Sequence, residues 1–168
     1  MDDKKKEMDF ELYKIAIQTR NLELGFFWQR SNYFLVLNTA LATGSILTLE
    51  KIQNMFIFIS IFGLLTSIIW ILINLGSKFW QTRWEMKACE LEKLVNIDVQ
   101  LFSVDKETVK NDVKKFLEKD NHNFPRCVFD CLILTKPSVS MQMLYLSILF
   151  LIFYVVVIIF SCNNFCHY

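Results

Sequence analysis

Three long stretches without a charged side chain constrain this chain more than any other feature. Tyr33–Leu49, Met55–Leu75 and Met143–Cys162 contain no Asp, Glu, Lys, Arg or His. A membrane-crossing helix needs about 20 mostly apolar residues. A bilayer offers backbone groups no partner but each other, so such stretches are expected to be helical. The second and third stretches meet the length. The first is short and carries Asn38, Thr39, Thr43, Ser45 and Thr48, which suits a span flanked by protein. The expected fold is therefore all-α and integral to the membrane, with three transmembrane helices. The mean hydropathy of +0.33 averages these stretches with the charged sequence between them.

The basic residues orient the spans. Six Lys and Arg precede Ser31, Lys51 lies between the first two spans, eleven lie from Lys78 to Lys136, and none follows. Basic residues in short flanks mark the cytoplasmic side. The expectation is a cytoplasmic N-terminus, a tight outer turn at Glu50–Asn54, a cytoplasmic segment 77–140 and a periplasmic C-terminus. The layout is then 1–30, a cytoplasmic amphipathic helix; 31–76, a transmembrane hairpin with spans 33–49 and 55–75; 77–140, cytoplasmic and helical; and 141–168, a third span over 143–162 with a short tail. Trp28, Tyr33, Trp80 and Trp84 cluster where the hairpin would leave the bilayer, as amphipathic rings favour that boundary. The net charge is only +1, which gives no electrostatic case for nucleic acid.

Local patterning extends the hairpin. Phe10, Tyr13, Ile17, Leu24 and Phe27 follow helical spacing, so a helix is expected to run straight into the first span. The second is expected to continue past the membrane to about Leu101, pairing with the first and with its coiled-coil-like extension. Ser103 is the expected N-cap of a further helix, with Asp105 and Glu107 in its first turn and Lys114, Lys115 and Lys119 in its last. Asn121–Pro125 and Lys136–Pro137 read as breaks around a short apolar stretch, Phe124–Ile133.

No residue pattern points to catalysis. There is no phosphate-binding Gly loop, nucleophile elbow, His-Glu-x-x-His or Cys-x-x-Cys, and no cofactor is implied. His122 with Cys127 and Cys131 has the wrong spacing and too few ligands for zinc. Cys162 and Cys166, one helical turn apart, are ordinary thiols or a pair facing an oxidising compartment. No ionisable group lies inside a span, which counts against a proton-coupled transporter.

The second span does carry a pattern. Ser60, Gly63, Ser67, Trp70, Asn74 and Ser77 alternate three and four apart and share one helix face; Asn38 and Ser45 lie seven apart in the first span. Small and hydroxylated residues let helices approach closely and hydrogen-bond across the contact. The face made of Asn38, Ser45, Ser60, Gly63, Ser67 and Asn74 is either a helix contact, within the chain or between subunits, or the lining of a pore. The third span is nearly all large aliphatic and aromatic. It is expected to face lipid, outside those small-residue contacts.

The run Leu12–Leu41 is the most distinctive, with Thr19-Arg20-Asn21, Glu23, Phe27-Trp28-Gln29-Arg30-Ser31-Asn32-Tyr33-Phe34 and Leu37-Asn38-Thr39-Ala40. It resembles the RipA-like family of small octameric bacterial inner-membrane proteins, named for a protein needed for intracellular proliferation of a pathogen. The resemblance implies a homo-oligomeric ring, an octamer, in the inner membrane, non-enzymatic, and a role in virulence or growth inside host cells. The expected partners are lipid, further copies of the chain and a cytoplasmic protein. Arg20, Asn21, Glu23, Arg30 and Asn32 are expected to make polar contacts between subunits or to form a solvated face. Candidate pairs are Arg20 with Glu11 or Glu23, and Arg30 with an acid on the second helix.

Overall fold

A computed structural model describes residues 2–48, 53–95, 101–118, 132–135 and 138–165. They form four helices: α1 (Asp2–Thr48), α2 (Gln53–Val95), α3 (Lys106–Glu118) and α4 (Val139–Phe165). Apart from a helical turn at 132–134, the rest of the described chain is bend and turn, with no strand among these residues. Leu49 of the first expected span, residues 50–52 of the expected turn, both expected breaks, His122, Cys127, Cys131, Cys166 and the Cys162 side chain lie outside the described set.

Among the described residues, two helices are long and apolar enough to cross a membrane: Met55–Val95, whose uncharged stretch runs from Met55 to Ser77, and Val139–Ser161. The described part of α1 is not among them. Its uncharged stretch is short and diluted by Asn, Thr and Ser. The helix nevertheless runs unbroken through it, as expected. Its hydroxyls help to explain why. Thr39 donates to the Leu35 carbonyl (2.7 Å) and Thr43 to that of Thr39 (2.9 Å), each folding back one turn so that no hydroxyl needs a partner from outside.

Packing along α2 has one spacing. Phe56, Ser60, Gly63, Ser67, Trp70, Asn74, Ser77, Gln81 and Ala88 are all buried and fall on a seven-residue repeat. The chain divides into two compact units. One comprises residues 1–22 and 81–139; the other comprises 23–80 and 140–168.

In the first unit, α1 and α2 meet through Tyr13–Glu92 and Arg20–Glu85, and Ala16 and Ala88 are buried, 4% and 0% exposed. One expectation is corrected here. The described part of α2 runs to Val95, and Leu101–Val104 is non-helical. The cap of α3 is Asp105, not Ser103: its Oδ2 accepts the Glu107 N–H at 3.1 Å. The correction has a structural cause. The Glu92 carboxylate takes the backbone N–H groups of Leu101, Phe102 and Ser103, holding that stretch out of helical register.

In the second unit, α4 packs directly on the small-residue face of α2. Tyr154 is fully buried, and its ring lies where a Cβ on Gly63 would be, with Cδ1 at 2.8 Å from that position. Ser147, also fully buried, lies 3.4 Å from the Asn74 amide. The expectation that the third stretch lies outside these contacts is therefore overturned. Its large side chains do face outward at Leu149, Ile152, Val156 and Phe160, but one Tyr and one Ser on the opposite face suffice to dock it.

Candidate functional site

The second unit is organised around Asn38. Its amide nitrogen donates to the Phe34 carbonyl (2.9 Å), and its Oδ1 accepts Ser67 Oγ (2.8 Å) and Thr66 Oγ1 (3.3 Å). The Tyr154 hydroxyl donates to the Asn38 backbone carbonyl at 2.8 Å. One residue of α1 thus ties α2 and α4 together, and both its side-chain groups are satisfied without water. Gly63 makes this possible, since any larger residue would displace the Tyr154 ring. Trp70 fills the adjoining layer, stacked on Phe34 (6.2 Å between centroids) and tilted against Phe150 (6.1 Å).

The rest of the predicted polar face is also internal. Ser45 and Ser60 are fully buried and bonded to carbonyls of their own helices. Asn74 donates to the Met143 carbonyl at 3.3 Å. Its Oδ1 and the Trp70 Nε1 are the buried polar atoms of this layer with no partner among the described residues. All six residues of the expected face are thus gathered within one unit of one chain.

The charged residues of α1 find intrachain partners different from those expected. Arg20 reaches Glu85 of α2 at 3.6 Å, and its guanidinium lies 5.2 Å over the Phe102 ring. Arg30 pairs with Glu23 on its own helix (3.7 Å) and donates to Ser77 Oγ on α2 (3.1 Å), so its α2 partner is a hydroxyl rather than an acid. Asn21 accepts from Arg20 at 3.4 Å, while Asn32 is exposed. Of the expected interface aromatics, Trp28, Tyr33 and Trp80 are exposed and Trp84 is half-buried.

Two residues escaped the sequence reading. Tyr154 is a phenol inside an apolar run, and a buried phenol must find an acceptor; that was the available signal. Glu92 is the other. Only 2% exposed, it accepts three backbone N–H groups at 2.7–2.9 Å and the Tyr13 hydroxyl at 3.1 Å. Burial alone would raise its carboxyl, but the backbone N–H groups of Leu101, Phe102 and Ser103 overcome this and hold it at about 2. Burial first, then the Glu92 contact, pushes the Tyr13 phenol up. The signal for Glu92 was its place one turn beyond Ala88 on the packed face of α2.

Among the described residues, no group of three or more His, Cys, Asp or Glu is placed to hold a metal ion. What the geometry offers is helix-to-helix fastening by satisfied polar groups. A family model described as the octameric membrane protein family (8xMP) matches residues 10–163. The chain belongs to this family. The match covers α1 from Phe10 through most of α4, so every contact described above lies within the 8xMP region. The RipA-like resemblance of Leu12–Leu41 agrees with it. No curated protein and no solved structure matches the chain.

Proposed function

We propose that this 8xMP chain is a non-enzymatic subunit of a homo-octameric ring in the bacterial inner membrane. Each copy crosses three times, with the first span completed by α1 against α2 and α4. Its N-terminus and residues 77–140 are cytoplasmic and its C-terminus periplasmic. The ring presents its helical cytoplasmic part to a protein partner. The observation that carries this reading is the Asn38–Ser67–Tyr154 fastening over Gly63. Polar groups in a membrane helix are retained where they hold helices together, and here they are spent within the chain. A pore lined by this face would require α4 to leave Gly63, which favours the scaffold.

Mass measurement in mild detergent and ion flux in liposomes test the proposal together. Octamers without conductance over a range of voltage and pH are the expected result. Conductance that Asn74→Leu abolishes while the octamer persists would replace the scaffold with a channel. Reporter fusions at Tyr168 check the topology, and a cytoplasmic signal there would overturn it. Growth inside host cells is the resemblance's implication, tested by comparing a deletion strain in broth and in host cells.

A further inference from the structure

The face of α1 turned away from α2 and α4 has a composition of its own. Gly25, Gln29, Asn32, Val36, Thr39 and Thr43 are all exposed and alternate four and three apart. At 3.6 residues per turn they fall within an arc of about 80°, opposite the buried Phe27, Ser31, Asn38 and Ser45. The exposed faces of the other helices in this unit differ. α2 shows Phe58, Leu65, Ile69 and Leu72 before Gly76 at the end of its uncharged stretch, and α4 shows Leu149, Ile152 and Val156, bulky and apolar over most of their length as lipid requires.

Nothing among the described residues explains the α1 pattern. A Cβ on Gly25 would meet no atom within 4 Å, so the fold of this unit does not need a glycine there. A glycine inside a helix costs about 1 kcal/mol relative to alanine. Gln29 and Asn32 make no hydrogen bond to another described residue, although they stand at the edge of the uncharged stretch Tyr33–Leu49. A missing side chain that leaves room, with two amides wanting partners one and two turns further on, is what a closely approaching helix would use.

We propose that this face, from Gly25 to Thr43, is the surface on which a second copy of the chain docks. The inference rests on the octameric reading above, which requires every subunit to contact its neighbours. In a closed ring such contacts are head-to-tail, so the α1 face meets a different surface of the next copy and not another α1 face. The residues that bind the neighbour are then Gly25, Gln29 and Asn32 rather than Arg20, Glu23 and Arg30, whose charges are engaged within the chain.

Photo-cross-linking in lipid nanodiscs tests it, with benzoylphenylalanine replacing Val36, which is 69% exposed. The expected product is a covalent dimer. Lipid adducts alone, from a preparation that has octameric mass, would overturn the α1 face while leaving the octamer standing. Wild-type protein of monomeric mass would instead overturn the octameric reading and this inference with it. Gly25→Leu and Asn32→Leu provide a second route. Both are expected to lose the octamer at concentrations where the wild type keeps it, with helicity and the Tm of the dissociated chain no lower than in the wild type. Octamers as stable as the wild type in both variants would refute the proposal.

Discussion

Replacing Glu92 by Gln removes one charge and changes little volume, so its effect can be worked from the contacts. The carboxylate receives Leu101 N–H and the Tyr13 hydroxyl on Oε1, and Phe102 and Ser103 N–H on Oε2. A glutamine must place its NH₂ at one of these positions. At Oε2 it would face two N–H donors. At Oε1 it would face one, and the Tyr13 hydroxyl can turn to accept. The second arrangement is the cheaper one. It still orphans the Leu101 N–H, at about 1–3 kcal/mol, and turns two charge-assisted bonds into neutral ones, at about 0.5–1 kcal/mol each. The expected loss is about 3 kcal/mol. Linkage gives a similar figure. A carboxyl lowered from 4.5 to about 2 corresponds to about 3 kcal/mol, less what solvent screening removes. Because the folded-state pKa is depressed, this stability is fully present above pH 4.5 and is lost as pH falls towards 2. Hydrogen exchange of the Leu101, Phe102 and Ser103 amides is the direct assay. Protection at these amides is expected to fall about 100-fold in Glu92→Gln at pH 7, and wild-type stability to drop between pH 4.5 and 2 more than that of the variant. Unchanged protection together with an unchanged acid limb would refute the reasoning.

Three further outcomes follow from the contacts. Gly63→Val puts a branched side chain into the Tyr154 ring and is expected to cost about 1–3 kcal/mol, read as a lowered Tm in detergent with increased cleavage around α4 by added protease. Tyr154→Phe keeps the ring but leaves the Asn38 carbonyl without its hydroxyl partner; a loss of about 1 kcal/mol is expected, measured by the same unfolding assay. Arg20→Ala breaks a pair whose Glu85 side chain is 47% exposed, so less than about 1 kcal/mol of stability should be lost; a larger drop in chemical unfolding would show that the guanidinium's position over Phe102 matters more than its charge.

The amino-acid sequence by itself determined which parts of this chain are helical and which face of α2 is packed. Uncharged runs of membrane-spanning length and the three-and-four spacing of Ser60, Gly63, Ser67, Trp70, Asn74 and Ser77 are properties of one strand of text, because helix periodicity is local. The partner of each face was not legible in that way. Met143–Cys162 is so uniformly apolar that its composition speaks only of lipid, and the docking of Tyr154 on Gly63 depends on residues 91 positions apart. Arg20 had nearby acids at Glu11 and Glu23, yet it reaches Glu85, because the long antiparallel return of α2 brings a distant acid closer than helix geometry brings the near ones. Glu92 makes the same point most clearly. A glutamate in a charged helix reads as solvent-facing until a following segment folds back and lays three backbone N–H groups on it. Only the tertiary structure decides such matters, since they rest on where the chain returns rather than on what it contains.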